Sequence, residues 1–226
     1  QRKWHLPSRA ECMVCHSRAA NFVLGVSAAQ LNRNHDYGEV TDNQLRTLES
    51  LGVLKLDPRS DSVSHFRQLL VEAGISTEQA DNEVSAAKAT RDQRPAASSC
   101  ELLAKPPSAY DASADLDARA RSYLHVNCAS CHINAGGGNA QIDLAYTREP
   151  KGLRAIDVKP LHNTFDIADP KLIAPGNPER SVLLHRMRIR GRGHMPPLAT
   201  HEVDQRAVKL IREWIANMEP LPEDAP

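Results

Sequence analysis

The chain has 226 residues, enough for one large or two small domains, and its 28 Lys and Arg balance 28 Asp and Glu. That neutrality supplies no net field for nucleic acid or an anionic membrane surface, and no apolar run approaches the length that spans a bilayer. Two Trp, four Tyr and three Phe are thin material for two cores, which leaves room for a large flat apolar body in the interior.

Taken from the N-terminus, the first chemistry-bearing element is C-M-V-C-H at Cys12–His16, and the pattern returns as C-A-S-C-H at Cys128–His132. Cys-x-x-Cys-His is the attachment signature of a c-type haem: the thiols add to the vinyl groups and the adjacent His becomes an axial iron ligand. Residues i and i+3 lie on one face of a helical turn, so two thioethers can staple one porphyrin edge. A zinc site usually brings its second ligand pair within a few tens of residues, whereas more than a hundred residues separate these pairs. A thioredoxin-like pair would sit in a βαβ context, and no alternating Val/Ile-rich strands flank either motif. Zinc is the main competitor. The expectation is two covalently bound haem c groups, held by Cys12, Cys15, Cys128 and Cys131, with His16 and His132 on the irons. Cys100, in the polar run A-A-S-S-C-E, is left over, and its default is an incidental thiol.

Further along, Asn43–Leu54 sets Leu45, Leu48 and Leu51 on one face, as a closing helix would. A helix at Val63–Arg91, broken near Gly74 with Ser76 as N-cap, is expected to pack across the junction between two halves. A Pro-, Ala- and Ser-rich stretch reads as a surface linker, giving domains at 1–94 and 115–226 joined by 95–114. Asp115–His132 carries Leu116, Ala120, Tyr123, Leu124 and Asn127 at helical spacing and runs into the second motif. Loops A-G-G-G-N and A-P-G-N-P-E-R-S follow, then a short helix at Ser181–Arg190 and the loop G-H-M-P-P-L. Val203–Met218 places Val203, Ala207, Leu210, Ile211, Trp214, Ile215 and Met218 on one face, and Pro220 stops it.

The C-terminal half resembles a class I cytochrome c domain through C-A-S-C-H, P-G-N-P-E-R-S, G-H-M-P-P-L and V-K-L-I-R-E-W-I. The N-terminal half, with W-H-L-P-S-R-A-E-C-M-V-C-H, Q-L-N-R-N-H-D-Y-G and N-Q-L-R-T-L-E-S-L-G, resembles the first haem domain of large exported di-haem cytochromes. These are often fused to quinoprotein dehydrogenase-like domains. The resemblance implies an all-α fold of two cytochrome c-like haem domains in tandem.

Met195 is the expected distal ligand of the second iron, since Pro196 and Pro197 would stiffen its loop. His194 is the adjacent competitor, and Met187 falls in a helical stretch and reads as core. No Met follows the first motif within its half, so its sixth ligand is His35, which stands before the first closing helix much as Met195 stands before the second. His65 and His5 are alternatives, and so is an open iron. His125, His162, His185 and His201 have no metal-demanding spacing. The run R-M-R-I-R-G-R beside the Met loop either neutralises haem propionates, docks an acidic partner, or is a solvated face.

A six-coordinate haem passes electrons and offers no substrate position. The expectation is therefore an electron-transfer module rather than an enzyme, served by a redox protein partner or a fused dehydrogenase domain. A di-haem peroxidase-like enzyme or a haem-based sensor with an open first iron is the alternative. Covalent haem attachment belongs to exported proteins, so a periplasmic or otherwise exported location is expected, the chain being a mature protein or a piece of a larger one. Neither nucleic acid nor a membrane span is expected.

Overall fold

A computed structural model describes residues 5–20, 22–54, 76–79, 81–82, 104–198 and 200–222. The chain divides into two compact units, one made of Gln1–Gly25 with Pro106–Pro226 and the other of Val26–Lys105. In this division the first attachment motif folds with the C-terminal half, whereas the expected boundaries at 94 and 115 give it a domain of its own.

The first unit opens with α1 (Arg9–Cys15). Its start is fixed by a capping box: Ser8 Oγ accepts from the Glu11 N–H, and the Glu11 carboxylate accepts from the Ser8 N–H at 2.8 Å. Two of the orphan donors of a helix start are thereby satisfied. Residues 106–114, expected as linker, are fastened instead to the helix α4 (Leu116–Asn127). Ser122 Oγ donates to the Pro107 carbonyl at 2.7 Å and Arg119 Nε to the Ala109 carbonyl at 3.2 Å. Helix α4 stops at Asn127, so the second motif forms a separate turn beyond it and not the continuation expected to His132.

Helices α5 (Val182–Arg188) and α6 (Gln205–Ala216) complete the unit. In α6 the residues Ala207, Leu210, Ile211, Trp214 and Ile215 are all buried, as their spacing predicts. Asp204 caps its start by accepting from the Ala207 N–H at 3.0 Å. The core joins this face to Ala120 and Leu124 of α4 and to Leu184 and Met187 of α5, and Trp214 Nε1 donates to Asp117 of α4 at 2.8 Å. The expected core place of Met187 agrees with its burial.

The second unit contains α2 (Ala28–Leu31), a hairpin of β1 (Asn34–Asp36) and β2 (Thr41–Asn43), and α3 (Gln44–Ser50). The two strands pair antiparallel, with His35 opposite Asp42, an element the all-α expectation did not contain. Asn43 organises the junction: its side-chain oxygen accepts from the Leu45 and Arg46 N–H groups, and its amide donates to buried Asn32 at 2.8 Å. The expected helical face is only partly used, since Leu45 is fully buried while Leu51 is 70% exposed. The chain leaves α3 through Gly52 at φ +69, a left-handed position that favours glycine. Ser76 acts as the expected N-cap, accepting from the Gln79 N–H at 3.3 Å. The rest of the Val63–Arg91 expectation lies mainly outside the described residues. No helix among those described is long and apolar enough to cross a membrane.

Candidate functional site

Both attachment sequences form the same local turn. The His16 N–H donates to the Cys12 carbonyl at 2.9 Å, and the His132 N–H donates to the Cys128 carbonyl at 2.9 Å. Each motif thus places its two Cys one turn apart and its His immediately after. At the first motif His16 Nδ1 lies 2.8 Å from the Phe22 carbonyl. A ring that donates Nδ1–H to a carbonyl is held in one orientation, with Nε2 as its electron-pair nitrogen.

Around the second motif lies a cavity of about 800 Å³ in the first unit, walled by Cys128, Cys131, His132 and Met195. That volume falls within the roughly 300–1,000 Å³ of cofactor and small-molecule sites. Ile142, Leu144, Leu172, Leu183 and Met187 make its wall largely apolar. Three of the expected ligating or attaching residues fall within the five positions Cys128–His132, but Met195 arrives from 63 positions later.

Arg186 accounts for the placing of the Met loop. Its carbonyl accepts the Met195 N–H at 3.0 Å, and its Nη1 donates to the Gly193 carbonyl at 2.8 Å. The guanidinium also lies 4.7 Å from the centre of the Phe165 ring, a cation–π contact. Gly193 has φ +85, and a Cβ there would come 2.8 Å from the Phe165 ring, so the loop is pinned between α5 and that aromatic. His194, the competitor, does not line the cavity and turns its Nδ1 back to the Gly191 carbonyl.

The Gly136–Gly138 loop wraps the second motif. A Cβ on Gly138 would lie 2.6 Å from His132 Nδ1, so this backbone packs directly against the imidazole. A Cβ on Gly137 would fall 1.7 Å from the Val14 carbonyl, so α1 rests on the same loop. Glu11, Val14 and Cys15 consequently share the cavity wall with Cys128, Cys131 and His132.

Burial dominates the electrostatics. It holds the His132 imidazole below the usual His range, with the Ala140 backbone opposing and Arg186 adding to the lowering. The Cys128 thiol is pushed up to about 12 by burial and then by Cys131. Cys131 also rises to about 12, through burial and then a hydrogen bond with Cys15.

A covalently attached haem is the group these motifs imply, and the residues around the second motif fit one. The wall is apolar, two Cys sit one turn apart, and Gly138 leaves room at the imidazole where a Cβ could not stand. His132 Nδ1 is buried against the Gly138 backbone with no hydrogen-bond partner. Among the described residues no group of three or more His, Cys, Asp or Glu could hold a metal ion. The four-ligand cluster that structural zinc takes is not among them, whereas a haem iron takes one or two protein ligands.

His35 belongs to the second unit and Cys12–His16 to the first. It lies exposed on β1, edge-on to Tyr37 with ring centres 4.7 Å apart. His5 is engaged by Glu11 at 3.0 Å. His65 and Cys100 lie outside the described residues. Of the arginine run, Arg186 lines the cavity, Arg188 pairs with Glu179 at 2.7 Å, and Arg190 donates to backbone carbonyls including Met187 at 3.2 Å. His125 takes a hydrogen-bonding role, its Nδ1 accepting the Tyr146 N–H at 3.3 Å.

Sequence reasoning missed the sharing of one wall by the two motifs, the clasp made by Arg186, and the presence of His162 at the cavity. The run of three glycines after C-A-S-C-H was the available signal for the first, since it marks a close approach of backbones. No protein-family model matches the chain, and no match was found among curated proteins or solved structures.

Proposed function

We propose that the chain is a di-haem c-type cytochrome module that carries electrons from a dehydrogenase or other donor to an acceptor in an exported, periplasmic setting. The observation that carries this reading is the meeting of Cys128, Cys131, His132 and Met195 on one largely apolar cavity. A haem bound there supplies a one-electron carrier whose iron cycles between ferrous and ferric states.

The chain's own part is attachment, orientation and exclusion of water. Cys128 and Cys131 fix one edge, and Cys12 and Cys15 do so at the first motif. His132 would offer nitrogen and Met195 a soft thioether, the latter from a loop held by Arg186. Ligation by both would leave no position for substrate, which is the reason to favour transfer over catalysis. Met as partner to His raises the potential, and a His partner at the first iron would lower it. The donor and acceptor are read as a redox protein partner or a fused dehydrogenase domain.

The alternative, a peroxidase-like enzyme or a haem-based ligand sensor, needs an open first iron. The observation that keeps it is the lack of any Met between His16 and residue 94. Carbon monoxide separates the two readings: an electron-transfer module leaves both low-spin spectra unchanged, and an open iron binds one equivalent per chain.

Intact mass tests the proposal directly. It should exceed the polypeptide by two haem groups that survive acid–acetone extraction. Stoichiometric zinc, or one haem or none, sinks the reading. Met195→Ala should remove the near-infrared sulfur-to-iron charge-transfer band of the oxidised protein and lower one of two potentials. An unchanged band would pass the ligand role to another residue, His194 first.

A further inference from the structure

We propose that the two attachment sequences share one edge, with Cys15 of the first against Cys131 of the second, so that the chain holds its two haems as an adjoining pair within a single folded unit. The inference rests on the di-haem reading and goes beyond it, because two tandem cytochrome domains would each keep a haem to themselves.

Three observations converge on the same place. Cys12–His16 and Cys128–His132 belong to one compact unit although 111 residues lie between them. Glu11, Val14 and Cys15 line the cavity that also exposes Cys128, Cys131 and His132. The backbones meet where a Cβ on Gly137 would stand 1.7 Å from the Val14 carbonyl and 2.8 Å from its carbonyl carbon. Cys15 and Cys131, the second Cys of each motif, both line that cavity.

A thioether grows from each of these sulfurs to one porphyrin edge. Groups attached through sulfurs on one cavity wall are neighbours by construction of the chain, whatever their irons' outer ligands. The functional consequence is that one electron passes from a ferrous to a ferric iron inside the unit, with no proton taken up or released and no diffusing carrier between the two. An external one-electron carrier then needs to meet only one of the two haems. Charge added at one iron is also felt at the other, since Coulomb interactions at short range in a buried setting are weakly screened. The two reductions should therefore be interdependent.

The test uses the full chain carrying both haems, with attachment verified by intact mass. Circular dichroism of the oxidised protein should give a two-signed couplet centred on the Soret maximum, the signature of two adjoining chromophores. Gly137→Val, which drives a side chain into the Val14 carbonyl, should cut the couplet several-fold while two haems remain attached. A single-signed Soret band in a chain of proven two-haem mass overturns the proposal and leaves the di-haem reading standing. So does a couplet that Gly137→Val leaves unchanged.

Should that variant fail to fold, a second measurement decides without haem. In the unattached full chain bearing Cys12→Ser and Cys128→Ser, copper-phenanthroline with dioxygen should oxidise Cys15 and Cys131. The two thiols give up two protons and two electrons to the oxidant and form one S–S bond, found as a Cys15–Cys131 peptide pair. Absence of that pair overturns the contact. A chain whose mass lacks two haems defeats the di-haem reading instead, and the peptide pair still reports on the contact.

Discussion

Arg186 joins more of the candidate site than any other single side chain. Its backbone carbonyl takes the Met195 N–H, its guanidinium takes the Gly193 carbonyl, and the same group lies over Phe165. Burial pulls its pKa below the usual Arg value, yet a guanidinium stays charged throughout the physiological range. It therefore acts as a permanent clasp on the loop that presents Met195. Arg186→Gln should loosen the loop without touching either Cys-x-x-Cys-His sequence. The expected outcome is two haems still attached, a weakened near-infrared sulfur-to-iron band, and new carbon monoxide binding at one haem per chain. Arg186→Lys should recover part of the band, since a single donor can still reach the Gly193 carbonyl. A band of full strength in Arg186→Gln would show that the prolines hold the loop unaided. The meeting of His132 and Met195 on one cavity was legible in the sequence because Cys-x-x-Cys-His and Gly-His-Met-Pro-Pro are local patterns. Arg186 was not, because what sets it apart from Arg188 and Arg190 is which way each side chain points.

Elements divide by how their signal is written. Helix α6 was legible because five apolar residues recur at helical spacing, and a stripe of that kind has one use in a folded chain. Helix α1 carried its own signal in Ser8-x-x-Glu11, and α2 carried one in Ser27-x-x-Gln30, each a capping box. These bounded helices of seven and four residues that are too short for any periodicity to show. The β1–β2 hairpin had no alternating apolar face to announce it, its strands being largely polar and exposed.

Two predictions belong at this scale. Trp214 ties α6 to α4, buried in the core and bonded to Asp117 at 2.8 Å. Trp214→Ala should cost about 3–5 kcal/mol, as large-to-small core changes do, read as a lowered denaturant midpoint. Trp214→Phe should cost less, keeping most of the buried area but leaving Asp117 without its donor.

His125 bonds α4 to the loop at Tyr146 through a neutral, accepting Nδ1, and burial holds its pKa below the usual His value of 6.5. The unfolded chain then binds the proton more readily than the folded one. Stability from this group is complete above about pH 6.5 and is lost as pH falls toward the lower folded pKa. His185, also lowered by burial and then by Arg188 and Arg186, contributes with the same sign. His125→Gln should flatten the fall in denaturant midpoint between about pH 7 and pH 5. Carboxylates such as Glu179, lowered by Arg212 and Arg188 from 4.5, act in a separate window below that. An unaltered pH slope in His125→Gln would place the titration elsewhere.

At the scale of the whole chain, the sequence order of motif, closing helix, linker, motif and closing helix suggested two like domains, and the backbone is divided differently. Composition alone could not reveal this, because a Pro- and Ala-rich stretch reads as a linker whether or not its end is fastened down. Pro107 and Ala109 are fastened down, by Ser122 and Arg119. The N-terminal 25 residues likewise contain no periodic pattern that names a partner. Their assignment comes from the Gly137 approach to Val14, a contact 123 positions apart in sequence. Leu6, Met13, Val14, Phe22, Val23 and Leu24 are exposed even in the folded unit, and among the described residues of 1–94 Leu45 is the one buried apolar side chain. A chain of residues 1–94 alone should therefore aggregate or remain unfolded, even though it contains a complete attachment motif. A chain joining residues 1–25 to residues 106–226 through a long Gly/Ser linker should behave oppositely. It retains both motifs, the Gly136–Gly138 loop and the core of α4, α5 and α6, so it should unfold cooperatively and carry two haems by intact mass. Its Met195-dependent near-infrared band should match that of the full chain, because every residue of the second cavity is present. If instead residues 1–94 and 115–226 each fold separately with one haem, while the joined chain does not, the boundaries read from composition are the right ones and the shared wall plays no part in folding.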